Sequence, residues 1–293
     1  MPVHPLTSLS STVLALRRAG CVFAEDEARL LHEAAASAGE LSSLVERRAA
    51  GLPLEHVLGW ADFHGRRFAV DTGVFVPRRR TEFLVARAAA LAPRRAVVVD
   101  LCCGSGALGV ALAAAADTAE LHACDVEPAA VRCARRNVGD LGHVYEGDLF
   151  APLPVTLRGR VDVLLANVPY VPTDDVELLP AEARVHEPRV ALDGGGDGLD
   201  VMRRVAAEAP RWLAPGGSLL VEASERQRDT AVGVLRAAGL SPRVLVSEEL
   251  YATVLVGTVQ LAAVAAAPVP AAEQPGISPG PATAAAPNPP AQD

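Results

Sequence analysis

Two rhythms of apolar residues divide the chain. Near the N-terminus they recur three and four positions apart, at Leu6, Leu9, Val13 and Leu16, and Leu41, Leu44 and Val45 begin a second stripe. That spacing gathers apolar groups on one side of a helix, so residues 1–55 are predicted as a small helical domain. Past residue 95, short β-branched runs alternate with helix-forming stretches. Residues 96–100, 121–126, 143–147, 161–166, 218–222, 243–246 and 252–256 read as strands. Residues 107–116 and 128–137 read as helices, the second opened by Pro128, whose ring suits a first helical turn. Repeated strand–helix units imply an α/β fold with a mostly parallel sheet covered on both faces. Between the two rhythms, residues 63–76 alternate around Gly65 and Gly73, and a β-hairpin joining the two parts is expected there.

The predicted organisation is a helical domain at 1–55, a hairpin linker at 56–80, an α/β domain at 81–261 and a tail at 262–293. The tail holds 12 Ala and 8 Pro and no aromatic or Arg. Such a segment buries too little surface to offset its ordering entropy, so disorder is expected.

Charge narrows the chemistry. The chain has 27 basic and 35 acidic residues, for a net charge of −8, and every basic residue is arginine. With no lysine, Schiff-base and P-loop lysine chemistries are excluded. The acidic balance weighs against binding that depends on neutralising nucleic-acid phosphates. The 5 cysteines include adjacent Cys102 and Cys103 but no paired C-x-x-C spacing, so no metal site is expected. The first residues lack the basic flank and apolar core of a signal peptide. No stretch reaches the roughly 18–20 strongly apolar residues of a membrane span. A reduced, cytoplasmic setting and a monomer are the expectations.

Two loops carry the candidate chemistry. Gly104-Ser105-Gly106-Ala107-Leu108-Gly109 follows a predicted strand and opens a helix, the context in which this glycine spacing is informative. Asp125 ends the next strand, where a carboxylate can accept from both ribose hydroxyls of an adenine nucleoside. NAD and S-adenosylmethionine both fit that pattern. Asp100, just before the loop, would oppose a pyrophosphate and favour a sulfonium cofactor with its ammonium group. The second loop, Asn167-Val168-Pro169-Tyr170, ends another strand. It resembles the N-P-P-Y motif of amino-methyltransferases, and the resemblance implies a target such as an amide nitrogen, a poor nucleophile that must be held in line with the methyl it attacks. The Asn167 side-chain oxygen and the Val168 carbonyl can accept its two N–H bonds. Tyr170 can pack on the target group or the cationic methyl.

Val97 to Gly106 resembles the cofactor loop of class I S-adenosylmethionine-dependent methyltransferases, and Asn167 to Tyr170 resembles the N-P-P-Y motif of amino-methyltransferases. Phe63-His64-Gly65, Val76 to Glu82, Arg135-Arg136-Asn137, Gly147 to Phe150, Glu187 to Leu192 and Gly195 to Asp200 follow in order. Together they are similar to HemK-type methyltransferases, which methylate the glutamine of the G-G-Q tripeptide in translation release factors. The resemblance implies a Rossmann-like, seven-stranded fold with S-adenosylmethionine as cofactor. It implies cofactor contacts from Asp100, Cys102, Gly104, Gly106, Asp125, Val126, Asp148, Leu149 and Asn167, with Asp148 meeting the adenine amino group. Asn167, Pro169 and Tyr170 become the catalytic residues, and Asn167, Val168, Pro169 and Tyr170 hold a protein substrate. The helical N-terminal domain would recognise that substrate, and Glu187 would support the site rather than act as a base.

Val168 departs from the first proline of N-P-P-Y, and Arg79-Arg80 from the Pro-Glu before Thr81. Pro169 still confines residue 168 to extended conformations, so its carbonyl keeps its direction. Arg78 to Arg80 read either as a docking patch for an acidic partner or as a solvated charge run. Two other readings stay open: methylation of an exocyclic base nitrogen in RNA or DNA, and a cofactor-binding protein that has lost catalysis.

Overall fold

The computed structural model describes residues 8–260; the expectations for Leu6 and for the tail lie outside them. The helices at the N-terminal end are α1 (Leu9–Arg18), α2 (Ala24–Ala34), α3 (Ala38–Ala49) and α4 (Leu54–Leu58). Leu16, Ala28, Leu31, Leu41, Val45 and Val57 form their common core. The predicted stripe on α1 is only partly inside: Leu16 is buried and Val13 half-buried, but Leu9 is exposed and Thr12 takes the inward place. Thr12 can do so because its hydroxyl bonds the Ser8 carbonyl and His32.

A hairpin follows, with β1 (Trp60–Phe63) and β2 (Arg66–Ala69) antiparallel. It begins before the expected 63–76, and Phe63 ends its first strand. His64 and Gly65, with φ of 50° and 71°, make the two-residue turn. Positive φ at both positions is what a tight hairpin turn requires. Asn137 secures the hairpin by accepting from the Ala69 N–H at 2.9 Å and donating to the Ala69 carbonyl at 2.8 Å.

The remaining elements are α5 (Glu82–Leu91), β3 (Ala96–Leu101), α6 (Ala107–Ala115), β4 (Thr118–Asp125), α7 (Pro128–Val138), β5 (His143–Glu146), β6 (Val161–Ala166), α8 (Ala181–His186), α9 (Asp200–Trp212), β7 (Leu213–Glu222), α10 (Arg228–Ala237), β8 (Ser241–Ser247) and β9 (Ala252–Thr258). The strands form one seven-stranded sheet in the order β5-β4-β3-β6-β7-β9-β8. Only the pairings of β9 with β7 and with β8 are antiparallel.

β3 shows why a continuous apolar run is a strand here. All of its residues are buried, and they serve the two faces alternately. Val97, Val99 and Leu101 pack with Met202, Val205 and Ala209 of α9, while Val98 packs with Leu84 of α5 and Leu112 of α6. Each buried Val or Leu contributes about 1.5–3 kcal/mol relative to exposure. β4 and β6 flank β3, so the chain changes direction across the sheet at β3 and a crevice opens at the carboxyl ends of the strands. Among the described residues no helix is long and apolar enough to cross a membrane.

Candidate active site

A cavity of about 430 Å³ lies in that crevice. Cys102, Gly104, Asp125, Val126, Asp148 and Leu149 line one part of it, and Asn167, Val168, Pro169 and Tyr170 line another. The fold therefore brings together most of the residues singled out from sequence. Asp100 and Gly106 do not face the cavity. Gly106 has φ of 78° and starts α6 against Ala134 and Val138 of α7. Asp100 is buried beneath the loop, where its Oδ2 accepts from the Gly109 N–H at 2.9 Å and its Oδ1 has no partner.

Burial lifts the Asp100 carboxyl to about 7; the Gly109 N–H opposes the rise and Asp125 adds to it. An acid whose pKa is higher folded than unfolded costs stability as it ionises. That cost grows from about pH 4, the unfolded value, and is complete above pH 7. The melting temperature of Asp100→Asn relative to the parent should therefore rise steadily between pH 4 and pH 8. A difference that is flat with pH would refute the buried-acid assignment.

Asp125 ends β4. Its Oδ2 accepts from the Gly104 N–H at 2.8 Å and its Oδ1 from the Glu127 N–H at 2.9 Å. Each oxygen keeps a second lone pair for a hydroxyl in the cavity. Burial raises its pKa, against which the Glu127 and Gly104 N–H groups pull. Asp148 pairs with Arg204 of α9, and both line the cavity. The three arginines on the cavity wall, Arg78, Arg80 and Arg204, each face a carboxylate, of Glu187, Glu222 and Asp148. Among the described residues no arginine on the wall is left without a carboxylate partner, while hydroxyl- and amine-accepting carboxylates remain. This donor set fits a nucleoside cofactor that is neutral or cationic, and S-adenosylmethionine has that chemistry. Burial pushes the Cys102, Cys103 and Cys124 thiols up, so they serve as apolar wall.

Asn167 follows the last residue of β6. Its side-chain oxygen is buried with no hydrogen-bond partner. No described hydrogen bond ends on the Val168 carbonyl either. The loop is held from outside. Gln227 donates to the Tyr170 carbonyl at 2.8 Å and to the Asp197 carbonyl at 2.9 Å. Val171 exchanges bonds with the Leu192 carbonyl and the Gly194 N–H. A side chain at Gly194 would sit 2.6 Å from the Pro169 carbonyl, and one at Gly198 would collide with that of Tyr170.

Two arginines of the run are tied to buried carboxylates, and Arg79 between them is exposed. Arg78 bonds both oxygens of Glu187, which is buried and also accepts from the Val76 N–H. Arg80 bonds the buried Glu222 and the Tyr170 hydroxyl. Among the described residues, Arg79 alone of the three has no ion pair. Sequence reading missed Glu222, Gln227 and Arg204. Glu222 had a signal, since it ends a strand as Asp125 does and Asp100 nearly does; Gln227 and Arg204 had none.

Residues 66–202 match the family model described as "Methyltransferase small domain". A curated relative from Geobacter sulfurreducens, named release factor glutamine methyltransferase, is 40% identical over 234 residues, covering 79% of this chain and 80% of its own. A relative of the same name from Mycolicibacterium smegmatis is 44% identical over 182 residues, 61% of this chain and 64% of its own. A solved structure from Alicyclobacillus acidocaldarius, named protein-(glutamine-N5) methyltransferase (release factor-specific), is 23% identical with a TM-score of 0.39, covering 63% of this chain and 94% of its own. On the strength of the Geobacter relative, which it matches along most of both lengths, the chain belongs to the release factor glutamine methyltransferase family.

Proposed function

We propose that this protein transfers the methyl group of S-adenosylmethionine to the side-chain amide nitrogen of the G-G-Q glutamine of a translation release factor. The observation that carries the reading is the buried, unpartnered Asn167 oxygen, next in the chain to a Val168 carbonyl on which no described hydrogen bond ends. A buried acceptor left unmade costs about 1–3 kcal/mol, so its retention at a cavity wall points to a donor that arrives with the substrate. A primary amide brings two N–H donors, and these two oxygens offer the matching pair.

Bound S-adenosylmethionine supplies an electrophilic methyl on a sulfonium. Asp125 would hold the ribose hydroxyls, with Asp148 near the adenine amino group and Gly104, Val126, Leu149 and Cys102 forming the walls. Asn167 and Val168 orient the amide so that its nitrogen lone pair points at the methyl rather than into the carbonyl. Pro169 and Tyr170 close over the amide and exclude water. No base is needed before transfer, because the nitrogen can lose its proton afterwards; Glu187, committed to Arg78, is not placed as one. The reading includes a monomer working in the cytoplasm on a protein substrate that its N-terminal helices recognise, with no nucleic acid required.

Incubation with methyl-labelled cofactor and a release factor should label one peptide, at the G-G-Q glutamine. Label that persists after that glutamine is replaced by glutamate would assign the chemistry elsewhere.

A further inference from the structure

We propose that Arg80 is a positioning residue for methyl transfer, acting through Glu222 to fix Tyr170 and the acceptor loop that starts at Asn167. The inference rests on the function proposed above. That loop must present two oxygens in fixed directions, yet Pro169 is its only residue with a preset φ. Residue 168 is valine, so the loop depends on ties from outside. Gln227 and the Val171 bonds tie its main chain. One tie reaches its side chain, and it comes from the segment after the hairpin.

Arg80 Nε donates to Glu222 Oε1 at 2.7 Å, and another nitrogen of the same guanidinium donates to the Tyr170 hydroxyl. That hydroxyl in turn donates to Glu222 Oε1 at 3.0 Å, and Thr81 donates to Glu222 Oε2 at 2.8 Å. The Glu222 side chain is only 3% exposed, so its charge needs a partner, whereas Arg80 reaches it from the surface at 46%. The guanidinium fork engages carboxylate and phenol together, which a single ammonium does less well. Burial first, then the Glu222 charge, holds the Tyr170 phenol well above its ordinary pKa, so it stays a donor. Arg80 lines the cavity with its Nε and one terminal nitrogen committed to these partners. Its part is to hold the loop, not to touch the amide.

The test compares Arg80→Ala, Arg80→Lys and the double variant Arg80→Ala/Val168→Pro. No described hydrogen bond uses the Val168 N–H, so proline there fixes φ without removing a bond. Arg80→Ala should lower kcat about 10- to 100-fold, as a misplaced reactive group does, while cofactor Kd stays within about twofold. Amide hydrogen exchange over 167–171 in the free protein should quicken. Arg80→Lys should fall between, and Val168→Pro should recover most of the lost kcat and slow the exchange again. Parental kcat and exchange in Arg80→Ala would overturn the proposal. So would a loss that follows cofactor affinity and is not relieved by proline. Exchange is measured without substrate, so it decides the tie even if the parent fails to methylate a release factor, a result that would instead remove the functional reading.

Discussion

Asn167→Ala is expected to lower kcat for release-factor methylation by about 100- to 1,000-fold, the usual loss when one preorganised polar contact to a reacting group is removed. Cofactor affinity should change little, because the groove formed by the loops after β3, β4 and β5 is untouched. The expected stability of the variant distinguishes this role from a structural one. In the free protein the Asn167 oxygen is buried without a partner, so its removal deletes no hydrogen bond and relieves a desolvation cost. The variant should therefore melt at the parental temperature or above it while being nearly inactive. Activity and melting temperature falling together would show that Asn167 holds the loop rather than the substrate. Single-turnover assays with saturating cofactor, beside thermal unfolding, separate the two cases.

The second large effect concerns stability at the N-terminal helices. Arg48 of α3 is buried, with Nε 2.7 Å and a terminal nitrogen 3.1 Å from the two oxygens of Glu27 on α2. It also donates to the Leu52 carbonyl at 3.0 Å and pairs with Glu182 of α8 at 2.7 Å. Arg48→Ala strands the buried Glu27 carboxylate, which costs about 3–5 kcal/mol. For a chain of this size the melting temperature should fall by about 6–20 °C. Replacing the pair together, as Arg48→Met with Glu27→Leu, should recover most of the loss, because two apolar groups leave no charge uncompensated. Because Arg48 also pairs with Glu182, hydrogen exchange in α8 should quicken in Arg48→Ala as well. A fall of less than about 1 kcal/mol, typical of exposed pairs, would mean that water reaches the ion pair.

Much of the sheet and of the site was legible in the chain because parallel strands buried on both faces are plain apolar runs. The Ala96–Leu101 run and the glycines after it identify a strand, a loop and a helix with no tertiary information. Three features were not legible, each for a physical reason. The hairpin strands have four residues each, too few to fix a boundary, and the turn at His64 and Gly65 decided it. Asp100 sits at the right height on its strand, but height does not reveal face, and its carboxyl turned under the loop toward Gly109. The arginine run gave no hint of its partners, since Glu187 and Glu222 lie 109 and 142 residues away in sequence. Pairing at such separations is set by how the sheet closes, not by local pattern.

Gly194 and Gly198 pack against the carbonyls of the acceptor loop with no room for a side chain. This changes which mutations a lineage can accept. Codon 168 contributes a carbonyl that any residue carries, so it can drift away from proline while the reaction persists. Codons 194 and 198 have no such latitude, and a random library at either should return glycine alone under selection for methylation. The letters of the four-residue motif are then a poorer record of retained activity than the two glycines behind it.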